Sequence, residues 1–240
     1  MMLPMLPTKA VAAGSDADAR SGETDVLMFS PYLSSRGEAF ETLYLNEIVE
    51  VYEEKGYTVQ KKLGKETEQE QHLTEEDMEG IGLLILFFPY RSCSDEDIAL
   101  MRKFLQGGGR IVMMGENGKN FPTENMFLTE TAQKLGGGFQ ISTRSVGDRH
   151  TIRVDSQEMP KTSLTEKLTY GLSCSYVAPI SYTGSVQPVL YYEDHVWAVE
   201  QAVEQGRIFA FSDINCFDSL WNPNVLYSED VGKITADTEQ

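Results

Sequence analysis

Cysteine and histidine are scarce in this chain. Its 240 residues include only three of each, and no Cys-x-x-Cys or His-x-x-x-His spacing occurs. Three cysteines are too few for a disulfide scaffold, and scattered thiols and imidazoles do not make a transition-metal site. The sequence therefore predicts no metal centre and no resident cofactor. Cys93, Cys174 and Cys216 form either one disulfide with a free thiol or three buried thiols.

Basic residues are also few. Lys and Arg number 20 against 37 Asp and Glu, which gives a formal net charge of −17. A polyanion repels nucleic-acid phosphates and anionic lipid, so we expect no nucleic acid as a general partner. The longest apolar run, Ile81–Phe88, is far shorter than the roughly 18–20 residues of a membrane helix. We therefore expect no membrane insertion of this segment.

The two ends of the chain differ in texture from its middle. A short apolar patch near the start runs into Ala10-Val11-Ala12, a small-x-small pattern that resembles a signal-peptidase site, although no basic region precedes it. Residues 1–23 are interpreted as a disordered leader or the remnant of an export signal. Residues 24–231 form one predicted domain, and 232–240 form a tail or a linker to a further domain beyond Gln240. An extracytoplasmic location is expected, and a cytoplasmic one is the alternative.

Strand and helix patterns alternate over residues 25–137, which predicts an α/β fold with a doubly wound, mostly parallel open sheet of flavodoxin type. The all-apolar run ending at Phe88 is typical of a strand covered on both faces. Ser94 is the predicted cap of an acidic-start helix, and Ser35 with Glu38 fits a capping box for the first helix. Residues 186–213 predict a C-terminal β-hairpin whose last strand is buried.

The candidate site follows from this topology, because ligands of open α/β sheets bind beyond the carboxyl ends of the strands. Polar and aromatic residues that follow the predicted strands are the ligand-binding candidates. They are Ser30, Tyr32, Tyr90, Arg91, Glu116, Asn117, Asp213 and Asn215.

The segment "GGGRIVMMGENG" tests for catalytic chemistry at that edge. A nucleophile elbow has the form G-x-nucleophile-x-G, and aligning on Gly118 puts Glu116 at the nucleophile position. A carboxylate there cannot begin acyl transfer as a thiol or hydroxyl does. A phosphate loop is also excluded, because Lys119 is followed by Asn120 and not by Ser or Thr. Gly107–Gly109 are interpreted as a helix stop.

Three stretches together carry a resemblance to a known family: "SDEDIALMRKFLQGGGRIVMMGEN", "AQKLGGGF" and "VEQGRIFAFSDINCF". Over residues 25–228 the chain resembles the class I glutamine-amidotransferase-like superfamily. It is most similar to the branch without a catalytic triad that occurs in bacterial surface and transporter-accessory proteins, which itself resembles a domain of intraflagellar transport proteins. The resemblance implies an amidotransferase-like fold. Active members carry Cys at the elbow and a His-Glu pair after the last strand, whereas this chain has Glu116 and no His-x-Glu there.

These observations predict a non-catalytic module that binds a small molecule or a protein, within a larger extracytoplasmic bacterial protein. The alternative is a hydrolase that uses Cys93 or a carboxylate pair of Glu116 and Asp213. Cys93 stands beside the start of a predicted helix, where a thiolate is favoured. A purely structural spacer is a third hypothesis. His195, in the predicted hairpin, is expected to be exposed or to pair with a neighbour.

Overall fold

The computed structural model describes residues 26–65, 69–146, 152–155, 171–174 and 176–214. The predicted leader at 1–23, the predicted tail at 232–240, and the residues Asn215 and Cys216 lie outside these ranges.

Helices and strands alternate in the first half of the chain, and strands dominate the described residues of the second half. The helices are α1 (Ser35–Phe40), continued by a π-helical turn (Glu41–Leu45) into α2 (Asn46–Glu54), a 3₁₀ turn (Glu76–Met78), α3 (Asp95–Gln106) and α4 (Pro122–Lys134). The strands are β1 (Val26–Ser30), β2 (Val59–Leu63), β3 (Leu83–Phe87), β4 (Arg110–Met114), β5 (Phe139–Ile141), β6 (Ile152–Asp155), β7 (Gly171–Cys174), β8 (Ile180–Tyr182), β9 (Gln187–Tyr192), β10 (His195–Val203) and β11 (Gly206–Phe211).

A seven-stranded mixed sheet in the order β2-β1-β3-β4-β11-β10-β9 forms the centre of the molecule. The first five of these strands are parallel, and β10 and β9 follow at one edge, each paired antiparallel with the strand before it in the sheet. The predicted α/β class and mostly parallel sheet are therefore confirmed. Where the sequence predicted a C-terminal hairpin, the structure has three consecutive antiparallel strands, β9, β10 and β11. Strands β5 and β8 form a separate small antiparallel sheet, as do β6 and β7.

Both faces of the sheet are covered by helices. All residues of β1 and β3 are buried, as expected of parallel strands with a layer on each side. Ile48 and Tyr52 of α2 pack in the apolar cluster on one face. Met101 of α3 and Leu128 of α4 pack in the cluster on the other face. The carboxyl edge of the sheet is thereby held between rigid layers.

The helix starts follow their capping residues. Ser94 caps α3 as predicted: its Oγ accepts from the Asp97 N–H at 3.0 Å, and Asp97 completes the capping box. The predicted cap at Ser35 is wrong by one residue. Ser34 has the extended backbone of a cap, and its Oγ accepts from the Gly37 N–H at 3.1 Å, so Ser35 is already helical.

Candidate functional site

The carboxyl ends of the parallel strands meet at one edge, as the fold requires. The last residues of β4 and β11, Met114 and Phe211, are direct partners in the sheet register. The Gly115 N–H continues this pairing by donating to the Phe211 carbonyl at 2.8 Å. The turn after β4 and the segment after β11 are therefore neighbours, and the predicted site residues Glu116 and Asp213 follow these two strands.

Glu116, at the position of a nucleophile in an elbow, is fully buried. Its Oε1 accepts a hydrogen bond from the Asn117 side-chain amide at 2.7 Å, and its Oε2 accepts from the Ile214 backbone N–H at 3.2 Å. A buried carboxylate is costly unless hydrogen bonds replace its water shell. The side chain thus connects the turn after β4 to the chain after β11, and each oxygen already has a protein donor.

Asn125, in the first turn of α4, adds further hydrogen bonds around Glu116. This residue was not predicted from the sequence. Its Nδ2 donates to the Glu116 carbonyl at 2.6 Å and to the Ser142 carbonyl at 3.0 Å, while its Oδ1 accepts from the Glu116 N–H at 3.1 Å. The side chain is fully buried. The Asn125 amide therefore holds the turn formed by residues 115–118, here called the elbow turn, against α4 and against the segment after β5. The only sequence signal was a polar residue on the inner face of a helix.

The two glycines of the turn allow close approach of other groups. A Cβ on Gly115 would lie 2.8 Å from Asn125 Oδ1 and 3.0 Å from the Phe211 carbonyl oxygen. A Cβ on Gly118 would collide with the backbone of Thr143 and Arg144. The two glycines therefore leave room for Asn125 and for the segment after β5 to pack against the turn.

Several of the other predicted ligand residues point into the protein. Ser30 and Asp213 are fully buried, and Asn117 is nearly so. The Ser30 hydroxyl donates to the Tyr32 carbonyl at 3.1 Å, and Asn117 Oδ1 accepts from the Asn120 N–H at 2.9 Å. The hydrogen bonds of Ser30 and Asn117 shape the loops that follow the strands.

Of the predicted site residues that the structure describes, Tyr90 and Arg91 are exposed and Tyr32 is half-buried; together these three are called the strand-end surface. The Arg91 guanidinium lies over the Tyr32 ring, with its Cζ 4.2 Å from the ring centroid. The same guanidinium donates to Glu70 Oε2 at 3.1 Å. The Tyr90 N–H donates to the Tyr32 carbonyl at 2.8 Å, and 42% of Tyr90 is exposed. The structure therefore brings these three residues together.

Cys93 is buried beside the start of α3. Burial raises the pKa of its thiol to about 12, against a smaller opposing effect of a hydrogen bond with Thr131. The expected favouring of the thiolate by the helix start is wrong, because desolvation of the charged form outweighs it. The side chain is a protonated thiol at neutral pH.

Within the described residues, no group of three or more His, Cys, Asp or Glu side chains is placed to hold a metal ion. In the same ranges, no helix is both long and apolar enough to span a bilayer.

Replacement of Glu116 tests its structural role. In Glu116→Ala the Asn117 amide and the Ile214 N–H lose their acceptor in a buried place, so we expect the free energy of unfolding to fall by about 2–4 kcal/mol. Urea denaturation followed by circular dichroism measures it. The matched control is Glu96→Ala, which removes the same side chain from an exposed position of α3 and should change stability by less than about 0.5 kcal/mol. Equal effects of both changes would contradict the assignment.

The state of Cys93 gives a second prediction. We expect iodoacetamide to leave Cys93 unmodified in the native protein between pH 7 and 9, because the thiol is buried and its pKa lies near 12. The same reagent should modify it fully in urea. Mass spectrometry of the peptide that contains Cys93 measures both states. Rapid native alkylation that rises with pH over this range would show an accessible thiolate instead.

Comparison with known proteins places the fold. No protein-family model matches the chain, and no curated protein sequence does. Among solved structures, the N-terminal domain of mmIFT52 superposes with a TM-score of 0.60 at 12% identity, over 85% of this chain and 93% of that one. A ThuA-like protein from Bacteroides uniformis superposes with a TM-score of 0.51 at 11% identity, over 93% of this chain and 94% of that one.

A β-galactosidase from Rahnella sp. R3 superposes with a TM-score of 0.55 at 15% identity and covers 82% of this chain, but the match spans only 30% of that enzyme. Identities this low show a shared fold and nothing about activity. ThuA-like proteins have the class I glutamine-amidotransferase-like fold, so the structural neighbours include the fold that the sequence resembles.

Proposed function

We propose that this protein is a non-catalytic interaction module of amidotransferase-like fold, which binds a protein partner through the strand-end surface. One observation carries the proposal: Glu116 occupies the position of the nucleophile, is fully buried, and has a protein donor on each carboxylate oxygen. The elbow turn connects the ends of β4 and β11, and the carboxylate at its centre is already hydrogen-bonded within the protein.

The chemistry of the neighbouring side chains supports this proposal. A nucleophile must reach its substrate and needs a base within hydrogen-bond distance. Glu116 is enclosed by its own donors, and the Cys93 thiol is buried with a pKa of about 12. The residues that a hydrolase would use at this edge therefore lack the exposure or the ionisation that the chemistry requires.

The strand-end surface has the composition of a binding site for protein. Tyr and Arg are the residue types that most often contribute large binding energies at protein interfaces. Here Tyr32 holds the Arg91 guanidinium by a cation–π contact, and Glu70 holds it by an ion pair. A side chain that is already ordered loses less entropy on binding, which favours affinity. Tyr90 adds an exposed ring beside this pair.

The wider setting that we propose follows from the sequence resemblance. The chain is a member of the triad-lacking branch, and it works within a larger extracytoplasmic bacterial protein. Its resemblance to that branch and the export-like pattern at Ala10–Ala12 support this setting.

Site-directed photo-crosslinking tests the proposed interface. p-Benzoylphenylalanine in place of Tyr90 should give one discrete crosslinked protein adduct on irradiation of cells that naturally make this protein. The matched control replaces Tyr57, a tyrosine of similar exposure (37%) that follows α2, and should give no such adduct. Arg91→Ala should weaken the adduct at position 90 by about fivefold or more, because it removes an interface residue of high typical contribution. Adducts of equal yield at both positions, or none at 90, would refute the interface.

Hydrolase assays test the absence of catalysis. The purified protein should release p-nitrophenol from p-nitrophenyl acetate and from p-nitrophenyl β-galactoside no faster than buffer does. Glu116→Gln and Cys93→Ser are the controls for a trace activity. A rate above buffer that either change removes would overturn the non-catalytic proposal in favour of the hydrolase alternative.

A further inference from the structure

A second surface of the molecule has the form of a binding groove. It is open, has a volume of about 700 Å³, and lies between the small β5–β8 sheet and the β9–β10 turn. Its lining includes Thr143, Arg144, Tyr182, Tyr191 and His195, and these residues define what is here called the tyrosine groove. None of them belongs to the strand-end surface. Among them, only His195 was considered from the sequence, as a residue that is exposed or paired with a neighbour.

One wall of the tyrosine groove is held rigidly by the elbow turn. Asn125 Nδ2 donates to the Ser142 carbonyl, and the Lys119 N–H donates to Ser145 Oγ at 3.1 Å. Gly118 allows the backbone of Thr143 and Arg144 to lie directly against the turn. The Arg144 N–H also donates to Ser142 Oγ at 3.0 Å. The wall is thus formed before any ligand arrives, which lowers the cost of binding.

Arg144 is the cation of this wall, and its side chain is exposed. In the part of the chain that the structure describes, its guanidinium has no ion pair, side-chain hydrogen bond or ring contact. Other arginines, such as Arg91 and Arg207, donate to carboxylates of the protein. The chain has a net charge of −17, yet no acidic side chain among the residues that the structure describes pairs with Arg144. Its fork of N–H donors is available for an external carboxylate.

The two tyrosines supply a flat apolar platform next to this cation. Tyr182 is 41% exposed. Burial raises the pKa of the Tyr191 hydroxyl, and the neighbouring Tyr182 hydroxyl raises it further, so the two side chains lie side by side in the groove. Ile180 and Val196 add apolar surface to the lining. A planar ring stacks favourably on such a tyrosine in an offset or edge-on arrangement.

We propose that the tyrosine groove binds an aromatic carboxylate, with the carboxylate on Arg144 and the aromatic ring on Tyr182. The carboxylate belongs either to a free aromatic acid or to the C-terminus of a peptide that ends in an aromatic residue. Asp194 also lines the groove and opposes an anionic ligand. His195 and the hydroxyl of Thr143 are further hydrogen-bonding groups on the two sides.

Titration calorimetry of the whole protein with four probes tests this site. The probes are 4-hydroxyphenylacetate, its neutral amide, the peptide Ala-Ala-Phe with a free C-terminus, and the same peptide as its C-terminal amide. Each acid that binds should do so at least about tenfold more tightly than its amide, because only the acid forms charge-assisted bonds with the guanidinium. Binding of the free acid alone identifies a small-molecule site, and binding of both acids identifies a site that also accepts a chain terminus.

Variants locate the bound acid. Arg144→Gln should weaken its binding by about tenfold, and Tyr182→Ala by about three- to tenfold, while Asp194→Asn should tighten it. The matched controls are Lys55→Gln and Tyr57→Ala, which change an exposed cation and an exposed tyrosine outside the groove and should leave affinity unchanged. Circular dichroism shows that each variant is folded. Equal affinity for acid and amide, full affinity in Arg144→Gln, or no binding of either acid at about 10 mM would overturn the proposal.

Discussion

The buried carboxylate of Glu116 joins the ends of two neighbouring parallel strands, and the carboxyl edge of the sheet depends on this contact. It accepts from Asn117 in the turn after β4 and from Ile214 after β11. Asn125 holds the backbone of Glu116 from α4 and reaches the Ser142 carbonyl beyond β5. Because a buried polar group that loses its hydrogen bonds costs free energy, this network tolerates little rearrangement. The loops at this edge are therefore built around a fixed centre.

The same turn can support different functions on one fold. A nucleophile at the centre of the elbow must face the substrate, whereas Glu116 faces the protein and is enclosed. Gly118, which in an elbow relieves a strained turn, here admits the backbone of Thr143 and Arg144. One wall of the tyrosine groove is attached to the turn as a result.

Much of the fold was predictable because its signals are local. An unbroken apolar run predicts the buried strand β3, which ends at Phe87. Ser94 and Asp97 form a complete capping motif within four residues. The first helix shows the limit of such signals. Ser34 and Ser35 are both good caps, and the backbone path out of β1 selects Ser34. Residue identity specified the element, and the path of the chain specified its first residue.

By itself the sequence determined the alternation of strands and helices, the net negative charge and the presence of a carboxylate, Glu116, in the turn after β4. Only the tertiary structure decided that Glu116 bonds to Ile214, that burial keeps the Cys93 thiol protonated, and that Tyr32 lies against Arg91. The physical reason is distance along the chain. Periodicity and capping depend on neighbours a few positions away, whereas desolvation and hydrogen-bond partners depend on segments that meet only when the sheet forms.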